Sequence, residues 1–172
     1  MKKRFWIPMM AVAAALVITA CSKNDDTPRC ISNTLARDQQ IIDSILGPEK
    51  STYTFDAQSN LYYRIDDEGT GNNKPTTDSL VAFNYIGRVL GGASNNVIID
   101  SLTVKEPATN KLGAYSRVIV AVYSLQKIKP GGTVSVIIPS SQLFGCVEAQ
   151  GVNKVPANAQ LIYQYNLTEV KK

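Results

Sequence analysis

The chain has 172 residues, with 18 Lys and Arg, 14 Asp and Glu, and no histidine. The absence of histidine removes the usual general base of serine and cysteine hydrolases and the commonest protein ligand of metals. Without the three basic residues at positions 2–4, 15 basic residues face 14 acidic ones. The rest of the chain is therefore nearly neutral, and its net charge argues for no nucleic-acid partner.

The first segment has the layout of a secretory signal. Basic residues 2–4 precede an apolar run over residues 7–20, which is shorter than the ~20 residues that a membrane-spanning helix needs. The run ends in Ile18-Thr19-Ala20-Cys21, which resembles a bacterial lipobox, where the cysteine is acylated and becomes the first mature residue. We predict a lipoprotein signal peptide over residues 1–20, lipidation of Cys21, and a polar tether over residues 21–32.

Lipidation of Cys21 predicts a lipoprotein of the cell envelope. Residue 22 is serine, where aspartate retains many lipoproteins at the inner membrane, so we expect the outer membrane, at its periplasmic face or at the cell surface. Cys30 and Cys146 then remain. In an exported protein they can form a disulfide, but one lies in the tether and the other in a loop, so two unpaired thiols are the alternative. Neither has a CxxC partner, and we predict no metal site.

About 150 residues remain, enough for one domain with a single core. Asn33 to Leu46 predicts a short helix, with Ser32 or Asn33 as its N-cap and Gly47-Pro48 as its end. Its apolar stripe is expected to pack against the domain that follows. We assign residues 33–59 to an N-terminal helix and strand extension, and residues 60–172 to the main domain.

From residue 51 the apolar period changes to two, which is typical of strands. Strands are predicted around Tyr53, Leu61, Val81, Val97, Val134 and Leu161. The strand at Val97 is expected to end at Asp100. One helix is predicted where four apolar residues fall on one face: Val118, Val122, Leu125 and Ile128. These elements predict an α+β fold, a curved antiparallel sheet wrapped around one short helix.

Three segments of the C-terminal half share their order and spacing with a known family. They are Ile128-Lys129-Pro130-Gly131-Gly132, Ile138-Pro139-Ser140 with Leu143-Phe144-Gly145, and Val155-Pro156-Ala157-Asn158-Ala159. Together with Phe83-Asn84-Tyr85-Ile86-Gly87 and Ile99-Asp100-Ser101, they resemble the FK506-binding-protein (FKBP) domain, a macrolide-sensitive class of peptidyl-prolyl isomerase. The resemblance covers roughly residues 60–170 and implies an FKBP-like fold.

The resemblance also implies a site. Tyr85 and Asp100 match the pocket tyrosine and aspartate of the family, Ile119 matches the residue whose backbone N–H binds a ligand carbonyl, and Phe144 stands at the tyrosine of a pocket loop. These four are the predicted catalytic residues. The predicted substrate-binding residues are those that wall the same pocket: Ile99, Val118, Val122, Val155 and Tyr163.

Such a site acts on X–Pro amides of peptides or exported client proteins, and it needs no nucleophile, metal or cofactor. An apolar cavity that excludes water disfavours the dipolar planar amide relative to the twisted one. However, Ala121 or Val122 stands where the family has a Trp or Phe floor. The lost ring favours an alternative, a non-catalytic peptide- or protein-binding module on the same scaffold. A third interpretation is a structural lipoprotein whose own side chains fill the pocket.

Overall fold

The computed structural model describes residues 30–91, 98–104, 111–118, 120–147 and 155–171. The predicted signal peptide, the lipidation site Cys21 and most of the tether lie outside the described residues, as does Ile119. The α-helices are α1 (Leu35–Leu46) and α2 (Ala121–Leu125), and 3-10 helices cover Gly47–Thr52, Leu112–Arg117 and Ser140–Gln142. The strands are β1 (Thr54–Asp56), β2 (Leu61–Asp67), β3 (Leu80–Val89), β4 (Ile98–Val104), β5 (Thr133–Ile138) and β6 (Leu161–Lys171).

The strands form an antiparallel sheet in the order β1-β2-β5-β6-β3-β4. Strand β6 is interior and pairs with β5 on one side and β3 on the other. The register shifts at Ile65/Asp67, at Ala82/Phe83 and at Gly87/Arg88. Such bulges bend strands and increase their twist. The predicted α+β class, with a short helix packed on an antiparallel sheet, is confirmed.

The sheet is covered on both faces, by α2 on one and by α1 on the other. Val134, Val136 and Ile138 of β5 pack in one core cluster with Leu125 of α2. Ile137, which points to the opposite face, packs in a second cluster with Ile42 and Leu46 of α1 and Tyr62 of β2. A strand that is covered on both faces needs apolar residues on both, which explains the Val-Ile-Ile end of β5.

Helix α1 begins and ends at polar and glycine signals. The Thr34 hydroxyl accepts a hydrogen bond from the Arg37 amide at 3.3 Å, so the N-cap is Thr34 rather than Ser32 or Asn33. Gly47 adopts a φ of +52° directly after the helix, a conformation that favours glycine. The predicted packing of the helix against the main domain is confirmed by the full burial of Ile42.

Two predicted elements have different bounds in the structure. Strand β4 does not end at Asp100 but continues to Val104, because Ser101 and Leu102 go on pairing with Ile86 and Tyr85 of β3. The predicted helix around Val118 to Ile128 is reduced to Ala121–Leu125. Val120 has a left-handed φ of +46°, which ends any helical path before Ala121.

Candidate active site

The Tyr85 hydroxyl donates a hydrogen bond to Oδ2 of Asp100 at 2.8 Å. Tyr85 lies on β3 and Asp100 on the neighbouring β4, where Asp100 stands opposite Gly87. Because side chains two residues apart share one face of a strand, Tyr85 and Asp100 are diagonal neighbours across the pair. The antiparallel register therefore brings the two predicted pocket residues into direct contact.

Three tyrosines pack together around this hydrogen bond. The ring centroid of Tyr85 lies 5.6 Å from that of Tyr163 and 5.1 Å from that of Tyr165, both on β6. The two β6 side chains are fully buried, whereas Tyr85 is 6% exposed. A Cβ added to Gly87 would lie 2.5 Å from Cε1 of Tyr163, so glycine at position 87 is what leaves room for the ring.

The tyrosines of this cluster are held in their neutral form. Burial raises the pKa of Tyr85, and its hydrogen bond to Asp100 and the charge of that carboxylate raise it further. Burial likewise raises the pKa of Tyr163 and of Tyr165. At neutral pH Tyr85 is therefore a hydrogen-bond donor, and none of the three phenols acts as a base.

The other predicted pocket residues that the structure describes pack on the same core cluster. Val155 is a buried member of it, together with Tyr85 and Tyr163. Four more are partly buried against it: Ile99, Val118, Val122 and Phe144. Each predicted residue that the structure describes therefore either packs in or against the main core cluster or, like Asp100, is hydrogen-bonded to a member of it. The position of Ile119 is not described.

The two residues that are candidates for the pocket floor, Ala121 and Val122, differ in burial. Ala121 is completely buried, whereas Val122 is partly exposed. Both residues nevertheless line an open hollow of about 460 Å³, together with Val118 and Val120. The side of α2 that bears Val122 therefore offers an apolar surface that is not filled by a tryptophan or phenylalanine.

The family described as FKBP-type peptidyl-prolyl cis-trans isomerase matches residues 71–168, which is more than half of the chain. The chain belongs to this family. All nine predicted pocket residues fall within the matched region. The FKBP resemblance inferred from the sequence motifs is therefore confirmed.

Relatives of this FKBP-type chain include longer proteins. It is 28% identical over 117 residues to the FKBP-type peptidyl-prolyl cis-trans isomerase FkpA of Escherichia coli K12, covering 67% of this chain and 39% of that protein. It is 30% identical over 114 residues to FkpA of Buchnera aphidicola, covering 66% and 42%. The chain spans less than half the length of these curated relatives.

Solved FKBP-type structures share the fold at low sequence identity. The crystal structure of FkpA from Escherichia coli has a TM-score of 0.54 at 20% identity, covering 79% of this chain and 58% of that one. A peptidyl-prolyl cis-trans isomerase from Pseudomonas syringae has a TM-score of 0.53 at 21% identity, covering 81% and 98%. These similarities concern the fold alone.

Two features of this FKBP-type site escaped the sequence prediction. Tyr165 is not among the predicted pocket residues, although its alternation with Tyr163 puts both rings on one face of β6. The backbone at Val120 is the second. A β-branched residue rarely adopts a left-handed φ, and such strain costs on the order of 1–3 kcal/mol. No spacing in the sequence indicates it.

The loop that carries Phe144 is bound both to the tether and to the N-terminal extension. Cys30 and Cys146 form a disulfide, with their Cα atoms 5.6 Å apart, so the alternative of two unpaired thiols is wrong. Asp38 of α1 is completely buried and accepts hydrogen bonds from Ser140 and Ser141 of the loop. These partners are more than 100 residues apart in the chain, which is why their pairing was not predictable from local pattern.

The described part of the FKBP-type chain contains no group of three or more His, Cys, Asp or Glu side chains that would hold a metal ion. Among the helices in the same residue ranges, none is both long enough and apolar enough to span a bilayer.

Proposed function

We propose that the protein is an exported, lipid-anchored peptidyl-prolyl cis–trans isomerase that acts on X–Pro bonds through an apolar, water-excluding pocket. The observation that carries this proposal is the hydrogen bond from Tyr85 to Asp100 beside the packed rings of Tyr163 and Tyr165. Both partners stand at positions where the FKBP family has its pocket tyrosine and aspartate.

The chemistry requires only that the twisted amide be favoured over the planar one. Rotation about the X–Pro bond must overcome a barrier of about 18–20 kcal/mol, because resonance is lost. The twisted amide is less dipolar, so a pocket walled by Phe144, Val155 and Tyr163 and shielded from water favours it. Substrates are proline-containing peptides and exported client proteins, whose slow isomerisation limits folding.

Two polar groups are proposed to orient the substrate backbone. Asp100 is fixed by Tyr85, and a carboxylate that accepts one hydrogen bond keeps further lone pairs for a substrate N–H. The backbone N–H of Ile119 is proposed to donate to the substrate carbonyl. Neither group forms a covalent bond with the substrate.

Export and anchoring are supported by the cysteines. The Cys30–Cys146 disulfide is of a kind that persists in oxidising compartments, as expected outside the cytoplasm. The lipobox-like sequence before Cys21 supports acylation of that residue, and two or more acyl chains give stable membrane attachment. We place the protein in the cell envelope, at the outer membrane.

A non-catalytic binding module on the FKBP scaffold is the second candidate. It is favoured by the predicted floor position, where Ala121 or Val122 replaces the family's large ring, since both residues line the open hollow of about 460 Å³. A wider apolar surface binds a peptide segment but holds a proline ring less tightly.

NMR exchange spectroscopy distinguishes the candidates. A tetrapeptide with a Leu-Pro bond is measured with and without the purified protein, and again with an FKBP-type macrolide. We expect faster cis–trans exchange, suppressed by the macrolide. Peptide line broadening without faster exchange would support the binding module instead. If the folded protein causes neither faster exchange nor line broadening, the isomerase and the binding module are both excluded. The structural lipoprotein then remains.

A further inference from the structure

Asp38 is a buried carboxylate that the family site does not explain. It is 0% exposed, and it lies on α1, before the region that matches the FKBP family begins at residue 71. Burying a charged carboxylate is costly unless its lone pairs are satisfied by hydrogen bonds. The groups that satisfy its lone pairs are therefore held in defined positions around it.

Four groups donate hydrogen bonds to Asp38. Oδ1 accepts from Nδ2 of Asn33 at 2.9 Å, from Oγ of Ser140 at 2.8 Å and from Nε2 of Gln160 at 2.6 Å. Oδ2 accepts from the backbone N–H of Ser141 at 2.7 Å. Gln160 also accepts from the Ser140 amide at 2.9 Å, so the network closes on the first turn of the pocket loop.

The same turn determines where Phe144 lies. The Ser140 carbonyl accepts hydrogen bonds from the amides of Leu143 at 3.1 Å and Gly145 at 2.8 Å, the two residues that flank Phe144. Displacing Ser140 therefore displaces the backbone on both sides of the ring.

The far end of the loop is held by the last residues of the tether. Ser32 Oγ accepts a hydrogen bond from the Cys146 amide at 3.1 Å, and Cys146 is bonded to Cys30. Gly145 has a φ of +51°, and a Cβ there would lie 2.7 Å from Ser32 Oγ. The extension thus contacts one end of the loop and the tether contacts the other, with Phe144 between the two attachments.

We propose that Asp38 is a positioning residue, which holds Phe144 at the candidate pocket by fixing Ser140 and Ser141. Its effect on catalysis rests on the proposed isomerase function, whereas its effect on the loop does not. Because a displacement of about 1 Å can lower a rate by up to about 100-fold, loosening this loop would reduce turnover while leaving the core folded.

The test uses the full chain labelled with 4-fluorophenylalanine, which replaces four phenylalanines. The Phe144 resonance is assigned with Phe144→Leu, and the Phe83 resonance reports the buried core. We expect Asp38→Asn to shift or broaden the Phe144 resonance and to leave that of Phe83 in place. Asp43→Asn is the matched control, since it makes the same charge change on α1 at a residue paired with Lys50, and it should move neither.

Activity supplies a second readout. We expect kcat/KM of Asp38→Asn to fall about tenfold, and Asp38→Asn/Phe144→Leu to be no slower than Phe144→Leu alone, because both changes act through one ring. Additive losses, or an unchanged Phe144 resonance in folded Asp38→Asn, would overturn the proposal. If Asp38→Asn unfolds, Ser140→Ala decides by the same readouts, since it deletes one donor only.

The two readouts separate this proposal from the proposed function. A Phe144 resonance that responds in a protein without isomerase activity would support the positioning of the loop and reject the isomerase. If the protein is active but its Phe144 resonance does not change in Asp38→Asn, the result would support the isomerase and reject the positioning role.

Discussion

The hydroxyl of Tyr85 and the Oδ2 of Asp100 are joined by a 2.8 Å hydrogen bond that crosses from β3 to β4. The bond exists because the antiparallel register sets Asp100 opposite Gly87, two residues from Tyr85 on the same face. A carboxylate held in this way has a defined orientation before any substrate arrives. The proposed isomerase site depends on such preorganisation.

Removal of this hydrogen bond by Tyr85→Phe tests the site. The ring remains in the cluster while Asp100 loses its donor, so we expect kcat/KM on the Leu-Pro peptide to fall about tenfold. The free energy of unfolding in urea should fall by about 1.5 kcal/mol. Ser135→Ala is the control, because it also removes a hydroxyl hydrogen bond to a carboxylate, that of Asp66, on the opposite face of the sheet. Equal loss of activity in both variants would contradict the assignment of Tyr85 to the site.

Gly87→Ala should disturb Tyr163 directly. The new methyl group would lie 2.5 Å from Cε1 of the Tyr163 ring, so the ring must move or the strands must separate. We expect a loss of about 1–3 kcal/mol in the free energy of unfolding, the usual range for overpacking.

A compensating change checks the cause of that loss. Gly87→Ala/Tyr163→Leu should be more stable than the sum of the two single changes predicts, because the smaller side chain makes room for the methyl group. Strict additivity in urea unfolding would argue against the steric explanation.

Asp38 should make stability depend on pH in acid. Burial alone raises the pKa of Asp38, but hydrogen bonds from Ser141, Asn33 and Ser140 outweigh burial and hold the pKa below the ordinary value of 3.8. The stabilisation is therefore present above pH 3.8 and is lost as the pH falls through the lower pKa of the folded state. We expect the free energy of unfolding of Asp38→Asn to change less between pH 7 and pH 3 than that of the wild type. The same acid dependence in both proteins would refute this prediction.

Reduction of the Cys30–Cys146 disulfide should lower stability. The bond closes a loop with a sequence separation of 116, for which the chain-entropy estimate is about 4–5 kcal/mol. Urea unfolding with and without dithiothreitol measures the difference. The free energy of unfolding of Cys30→Ser/Cys146→Ser should equal that of the reduced protein and should not change when dithiothreitol is added. A double variant as stable as the oxidised wild type would show that the bond contributes nothing.

Cys21→Ala tests the anchor. If Cys21 is acylated, the variant expressed in its host should carry no labelled fatty acid and should accumulate as an uncleaved precursor. Metabolic labelling followed by gel electrophoresis measures both. Cys30→Ala is the matched control and should label normally. Normal acylation of Cys21→Ala would end the lipoprotein proposal.

Local pattern was sufficient for some elements and not for others. The alternation of Val81, Phe83 and Tyr85 predicted β3, since a half-buried strand has a period of two whatever its partners are. The short helix was overestimated, because Val118 and Ile128 fit a helical face while Val120 interrupts the helix with its left-handed φ. Strand β4 was underestimated, because only its pairing with β3 carries it past Asp100.

The sequence by itself determined the α+β class and the FKBP resemblance, because periodicity and motif spacing are local properties of the chain, and the resemblance implied that Tyr85 and Asp100 belong to one pocket. Only the tertiary structure decided that Cys30 pairs with Cys146 and that Asp38 holds the loop of Phe144. Asp38 and Ser140 are 102 residues apart, and a hydrogen bond over that separation depends on how α1 docks on the sheet. That docking is a property of the packed core, which no local pattern contains.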